Sequence, residues 1–209
     1  MKYVLTFCLL LISCLSFSQK NDNFLGERQL NFSIGRSKHG TGDMRGLIFN
    51  TEYSKRFKNR LSWIAGIGGT IHDGVRPLFF TYPDGSEIDG SIRYTTAGLQ
   101  GKSQIGYSLI KTNALELQIR AGALLRYQTS SYYDGVSILY PAAGTGVPFP
   151  VIYFTNISPQ RTFTVGGNAE IFYNYSITPK ILIGVLAGLQ TDTNGDTITQ
   201  LSLSIGRRF

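Results

Sequence analysis

Apolar and polar residues alternate at period two along most of the chain, the pattern of β-strands with one apolar and one polar face. It is plainest in residues 197–209, where Leu201, Leu203, Ile205 and Phe209 fall on one side and Gln200, Ser202, Ser204, Gly206 and Arg208 on the other. Residues 115–130 repeat it, with Leu115, Leu117, Ile119, Ala121, Ala123, Leu125 and Tyr127 opposed to Glu116, Gln118, Arg120, Arg126 and Gln128. Further segments of the same kind cover residues 29–36, 46–57, 61–72, 91–108, 161–176 and 181–190, with Ile64 an exception on the polar face of the third. Tight connections at 58–60, 110–113 and Thr178-Pro179 alternate with loops at 37–43, 73–90, 131–160 and 192–196. All seven prolines lie in connections, as hydrogen-bonded ladders demand. Asn194-Gly195 marks the last loop as a hairpin turn. No stretch carries a convincing helical period. The pattern predicts an all-β fold of eight antiparallel strands connected up and down.

An eight-stranded sheet of this kind closes into a barrel, and two barrels fit with opposite faces. A soluble, lipocalin-like carrier would put the apolar residues inside; a transmembrane β-barrel puts them outside, in lipid. The polar faces hold Gly66, Gly68, Gly98, Gly106, Gly166, Gly184, Gly188 and Gly206. An eight-stranded interior has room only for a filling of side chains, so small residues belong there, whereas a soluble exterior would carry many Lys and Glu. Aromatics also cluster near the ends of the apolar faces. Phe57, Trp63, Tyr107, Tyr173, Tyr175 and Phe209 lie toward the tight turns, with Tyr127 and Phe163 toward the long loops. Such girdles sit at membrane–water interfaces. The expectation is an eight-stranded antiparallel transmembrane β-barrel over residues 29–209.

Composition adds bounds rather than a function. The 209 residues suit one domain. Only 16% of them are charged, and the surplus of seven cations is scattered singly along the sequence, which disfavours nucleic acid and suits an anionic membrane surface. Residues 1–18 have a basic start, an apolar run and small residues before Gln19, the form of a secretory signal. That run is shorter than the roughly 20 residues a membrane helix needs. A rival processing route exists, since Leu11-Ile12-Ser13-Cys14 resembles a lipobox with Cys14 as the lipidated residue. Both cysteines, Cys8 and Cys14, lie in this leader, so cleavage after Ser18 leaves no thiol for disulfides or metal. Residues 19–28 form a short polar lead.

With these faces and the terminal Gly206-Arg207-Arg208-Phe209, the chain resembles the small eight-stranded outer-membrane barrels of Gram-negative bacteria, of the OmpA and OmpX type. It is most similar in style to outer-membrane barrel proteins of Bacteroidota. The resemblance implies export to the outer membrane, surroundings of outer-membrane lipid and lipopolysaccharide, and a final strand whose Phe209 is read by the barrel-assembly machinery. It implies no cofactor and no named activity.

If the apolar faces meet lipid, the inward set includes Glu52, Arg56, Lys102, Glu116, Arg120, Arg126, Glu170 and Arg208. Unpaired buried charges cost several kcal/mol, so these should form a network across the lumen. Such a network is either a structural polar plug or the lining of a narrow path for ions or small solutes. Enzymatic precedent on small barrels, resembling lipid A-modifying enzymes, uses His with Ser at the outer rim. The two histidines, His39 and His72, lack the His-x-Ser spacing, and no catalytic residue is assigned. Asp192, Asn194 and Asp196 imitate the start of a calcium loop, but Thr197 and Leu203 replace its Gly and Glu, and no metal site is assigned. The two long loops are the most suggestive feature. They hold Phe79, Phe80, Tyr82, Tyr132, Tyr133, Tyr140, Phe149, Tyr153 and Phe154. Residues 136–140 and 151–155 could pair as a hairpin with a free edge. These aromatics would either anchor an extracellular ligand or surface partner, or pack on one another as a cap.

Overall fold

The structure is a computed structural model that describes residues 26–40, 44–81, 85–156 and 160–209. The leader and its cysteines, and Tyr82, lie outside the described residues, as does the side chain of Phe80. The strands are β1 (Arg28–His39), β2 (Met44–Arg56), β3 (Leu61–Arg76), β4 (Phe79–Thr81), β5 (Glu87–Asp89), β6 (Ile92–Lys111), β7 (Leu115–Ser130), β8 (Gly135–Leu139), β9 (Val151–Thr155), β10 (Gln160–Ser176), β11 (Ile181–Asp192) and β12 (Thr197–Arg208). Eight of them close an antiparallel barrel in the order β1-β12-β11-β10-β7-β6-β3-β2. β4–β5 and β8–β9 form separate hairpins in the two long loops.

The period-two pattern becomes two surfaces. Leu30, Phe32 and Ile34 on β1, or Leu201, Leu203 and Ile205 on β12, are exposed, while Gln29, Asn31, Ser33, Ser202 and Ser204 between them are buried. The barrel is apolar outside and polar inside. A surface of this kind is stable in hydrocarbon, where closure also leaves no backbone edge unpaired. Each barrel strand exceeds the roughly 9–11 residues needed to cross a bilayer at a tilt.

Three features differ from what periodicity predicts. β3 runs further into the loop at 73–90, to Arg76. β6 also continues through the expected turn at 110–113 as far as Lys111, by way of a bulge between Ser108 and Ile110. The extra residue reverses the alternation, so Lys111 as well as Ser108 is buried while Leu109 is exposed. Finally, Pro141 leads into a single helical turn, α1 (Ala142–Thr145), at the tip of the β8–β9 hairpin. It is too short to carry a periodic signal.

Candidate functional site

The lumen is organised in tiers. In cross-strand rows its long charged side chains stand beside glycine: Glu52 pairs with Gly66, which pairs with Lys102, while Glu170 pairs with Gly188, which pairs with Gln200. A Cβ on Gly66 would stand 3.0 Å from Glu52 Cγ and 3.2 Å from Lys102 Cε. The missing side chain is the space through which these two reach each other. That accounts for the glycine-rich polar faces: eight strands leave an interior that only alternating large and small residues can fill.

In the middle tier Lys102 Nζ binds Glu52 and lies 2.7 Å from Glu170 Oε1. Arg120 Nη1 lies 2.7 Å from Glu52 Oε2, and its guanidinium stacks 3.8 Å from the ring centre of Phe172. Gln200 donates to Glu170 at 3.1 Å. Beyond this tier, toward the long loops, Gln190 donates to Gln100 and Gln100 to Asn50, each at 3.0 Å.

A second tier lies at the tight-turn end. Arg56 binds Glu116, which also accepts from Ser108 at 2.6 Å and from Lys111 at 3.0 Å. Glu27 joins Lys111 at 3.0 Å to Arg208 at 2.6 Å. Glu27 and Lys111 are members that periodicity missed. Glu27 lies before the first strand, and Lys111 turns inward only because of the bulge.

The third tier is at the long-loop end. Arg126 Nη1 lies 4.0 Å from Asp192 Oδ2, and its Nη2 donates to Thr70 Oγ1 at 3.3 Å. His39 and His72 stack with ring centres 5.2 Å apart. His39 Nε2 is 3.4 Å from Asp196, and His72 Nε2 is 2.8 Å from Ser37 Oγ. Burial alone would raise the Asp196 carboxyl, but the Gln128 amide and the neighbouring His39 hold it below the usual range. Ser37 is a partner for His72 that no sequence spacing reveals, because the two meet across β2, where Gly46 stands between them in the same cross-strand row. The pair is buried, at 4% and 0% exposure, so a reactant would have to enter the barrel end to reach it. The carboxylates imitating a calcium loop are occupied internally: Asp192 accepts from Asn194, Asp196 and Thr164, and Asp196 from Gln128 and Asn194.

Apolar side chains fill the remaining interior. Ile48, Ile64, Leu124, Phe172, Leu182, Leu186 and Ile198 are all buried. The wall where β1 meets β12 is different again. Asn31, Ser33, Ser202 and Ser204 line it, and their side chains have buried polar atoms with no hydrogen-bond partner among the described residues.

Replacing Arg120 with Leu removes one cation from Glu52 but leaves it Lys102. We expect a loss of at least about 2 kcal/mol, mostly the stacked guanidinium and its two charge-assisted bonds, to Glu52 and Gln118. A urea midpoint equal to wild type in refolded barrel would contradict this.

Outside the barrel, the loop aromatics divide into two groups. Tyr132 and Tyr133 stack at 4.6 Å, Tyr133 contacts Phe154 at 4.6 Å, and Tyr94 meets Tyr132 edge-on at 4.9 Å. The Arg76 guanidinium lies 5.5 Å from the Tyr133 ring centre. These form a self-packed cluster. Phe79, Tyr140, Phe149 and Tyr153 are instead exposed. In the β8–β9 hairpin, Val136 pairs with Phe154 and Ile138 with Ile152, giving a continuous apolar face. Neither edge of that two-stranded sheet is paired to a further strand among the described residues.

Comparison with solved structures agrees with this architecture. The chain superposes on Ail, the attachment invasion locus protein of Yersinia pestis, in complex with the heparin analogue sucrose octasulfate. The TM-score is 0.54 at 13% identity, over 88% of this chain and 99% of Ail. It also matches the N-terminal β-barrel domain of Pseudomonas aeruginosa OprF, with a TM-score of 0.53 at 9% identity over 88% and 98% of the two chains. Neisserial surface protein A gives 0.51 at 10% identity over 88% and 96%. The fold is that of the small outer-membrane barrels. No sequence-family profile and no curated protein sequence matches the chain.

Proposed function

We propose that this chain is an outer-membrane barrel whose long loops bind a partner at the cell surface. The observation that carries it is the β8–β9 hairpin, with Val136 50% and Ile138 63% exposed beside free strand edges. Such an edge recruits an extended segment by backbone pairing, and apolar side chains supply the burial. Ail, whose name is attachment invasion locus protein, has the same fold. In this assignment residues 1–18 direct export, Phe209 is read during assembly, the tight turns face the periplasm and the long loops face outward. The outer rim also suits lipopolysaccharide: Lys38 and Arg45 are direct cross-strand neighbours, and with Arg36 they border an outer groove of about 810 Å³.

The test places charge on the apolar face. Cells displaying the protein should adhere to host-cell monolayers, and the I138K/I152K double variant should fall to the level of cells lacking it while still showing heat-modifiable migration. Deleting residues 142–148 should likewise weaken adhesion. Full adhesion by both variants would remove the hairpin from the function. A narrow pore is the alternative. With three tiers of paired side chains across the lumen, planar bilayers containing the wild-type barrel should show no stable conductance; a reproducible single-channel step would favour the pore.

A further inference from the structure

The cationic surplus, scattered in sequence, is gathered in space. Arg28, Lys55, Lys58, Arg60, Lys180 and Arg207 are all exposed at the tight-turn end. The carboxylate side chains there, among the described residues, are Glu27 and Glu116, and both are held by Arg56, Lys111 and Arg208. At the opposite end Glu87, Asp89 and Asp134 lie exposed among the cations.

Three of these cations lie on adjacent strands on the lipid-facing surface. Arg28 and Lys55 are direct cross-strand partners, on the outward parity of Leu30 and Tyr53. Arg207 is the cross-strand partner of Leu30, one outward position from Arg28. Like charges directly opposite destabilise a sheet. None of the three makes an ion pair among the described residues. Interface aromatics stand at the same level: Trp63 is the cross-strand partner of Lys55, and Arg207 lies 5.2 Å from the Phe209 ring centre. The apolar belt begins immediately beyond, at Leu30 and Ile205.

We infer that Arg28, Lys55 and Arg207 bind the phosphate of an anionic phospholipid in the leaflet at the tight-turn end, its acyl chains lying along the belt. This rests on the membrane placement proposed above. One bridging phosphate relieves the repulsion between Arg28 and Lys55. Continuity with the belt selects a lipid over a soluble phosphate, because an acyl chain anchored on Leu30 and Ile205 brings its headgroup to the cations. Long basic side chains reach such a headgroup while their stems stay on apolar surface.

Trp63 is the only tryptophan and stands beside Lys55, so its fluorescence reports this site. The full-length barrel is refolded into phosphatidylcholine vesicles containing brominated phosphatidylglycerol or brominated phosphatidylcholine at equal mole fraction. Brominated phosphatidylglycerol should quench with a relative binding constant about fivefold higher, the factor one basic group supplies at an anionic surface. The preference should fall in high salt and disappear in the R28Q/K55Q/R207Q variant, with heat-modifiable migration confirming its fold. Soluble glycerol phosphate should leave the quenching unchanged. Equal quenching by the two lipids, a preference retained in the variant, or reversal by glycerol phosphate would each overturn the site. Absence of quenching by either lipid would instead overturn the membrane placement.

Discussion

Replacing Lys102 with Met should lower the stability of the refolded barrel by about 3–5 kcal/mol, the usual cost of removing one partner from a buried ion cluster. Lys102 is the centre of the middle tier, joining Glu52 to Glu170 across the lumen. Without it Glu52 keeps Arg120, but Glu170 keeps only the amide of Gln200 at 3.1 Å. The stranded group is therefore Glu170, and the second change follows. E170Q in the K102M background should recover most of the loss, because the amide carries no charge to compensate. Urea midpoints of the wild type, the two single variants and the double variant form a cycle whose interaction should exceed about 2 kcal/mol. A K102M midpoint equal to wild type would show that the lumen pairs only break even with the solvation they forgo.

A methyl group at Gly122 should be at least as damaging. Gly122 lies on the inward parity of β7 between Arg120 and Leu124, where the strand bends so closely to β6 that an added Cβ would overlap the carbonyl oxygen of Ser103. The obstacle is backbone, which cannot swing aside as a side-chain tip does. Glycine in a strand interior often marks such a corner. Gly122→Ala should cost more than about 4 kcal/mol, the range in which single substitutions have a specific steric cause, or prevent closure. The control is close at hand. Gly101 faces outward with nothing within 4 Å of its added Cβ, so Gly101→Ala should leave folding unchanged. Refolding yield by heat-modifiable migration, followed by urea titration, separates the two; equal behaviour would remove the corner.

The strands and their faces were legible in the sequence because a barrel in lipid has only two environments, and each residue of a period-two strand must choose one. Leu201, Leu203 and Ile205 made that choice unambiguous. The interior was less legible for two physical reasons. First, an eight-stranded lumen is filled like a protein core, so it accepts Phe172, Leu182 and Leu186 among its polar residues, and apolar character alone does not place them. Second, a bulge shifts parity without changing composition, which hid Lys111 and, through it, the role of Glu27. Pairings such as Ser37 with His72, or Lys102 with Glu170, join strands that are not direct neighbours, and they depend on the register and curvature of the strand between. The two hairpin strands of the long loop were visible in the sequence, but the division of its aromatics between a packed cluster and an exposed set is a property of tertiary packing.

The wall where the first and last barrel strands meet has a mechanical consequence. Elsewhere long side chains tie β2, β6, β7 and β10 together across the lumen, like spokes fixed to a rim. At the β1–β12 junction the mid-lumen side chains are the short Asn31, Ser33, Ser202 and Ser204, so the join is held there by its backbone ladder. Ladders part bond by bond, whereas spokes resist together. A barrel pulled open from its ends would first have to part Glu27 from Arg208 and His39 from Asp196, and would then unzip along this line, leaving a curved sheet still braced by its ion pairs. Run backward, the same motion closes the barrel by drawing two prepared edges into register.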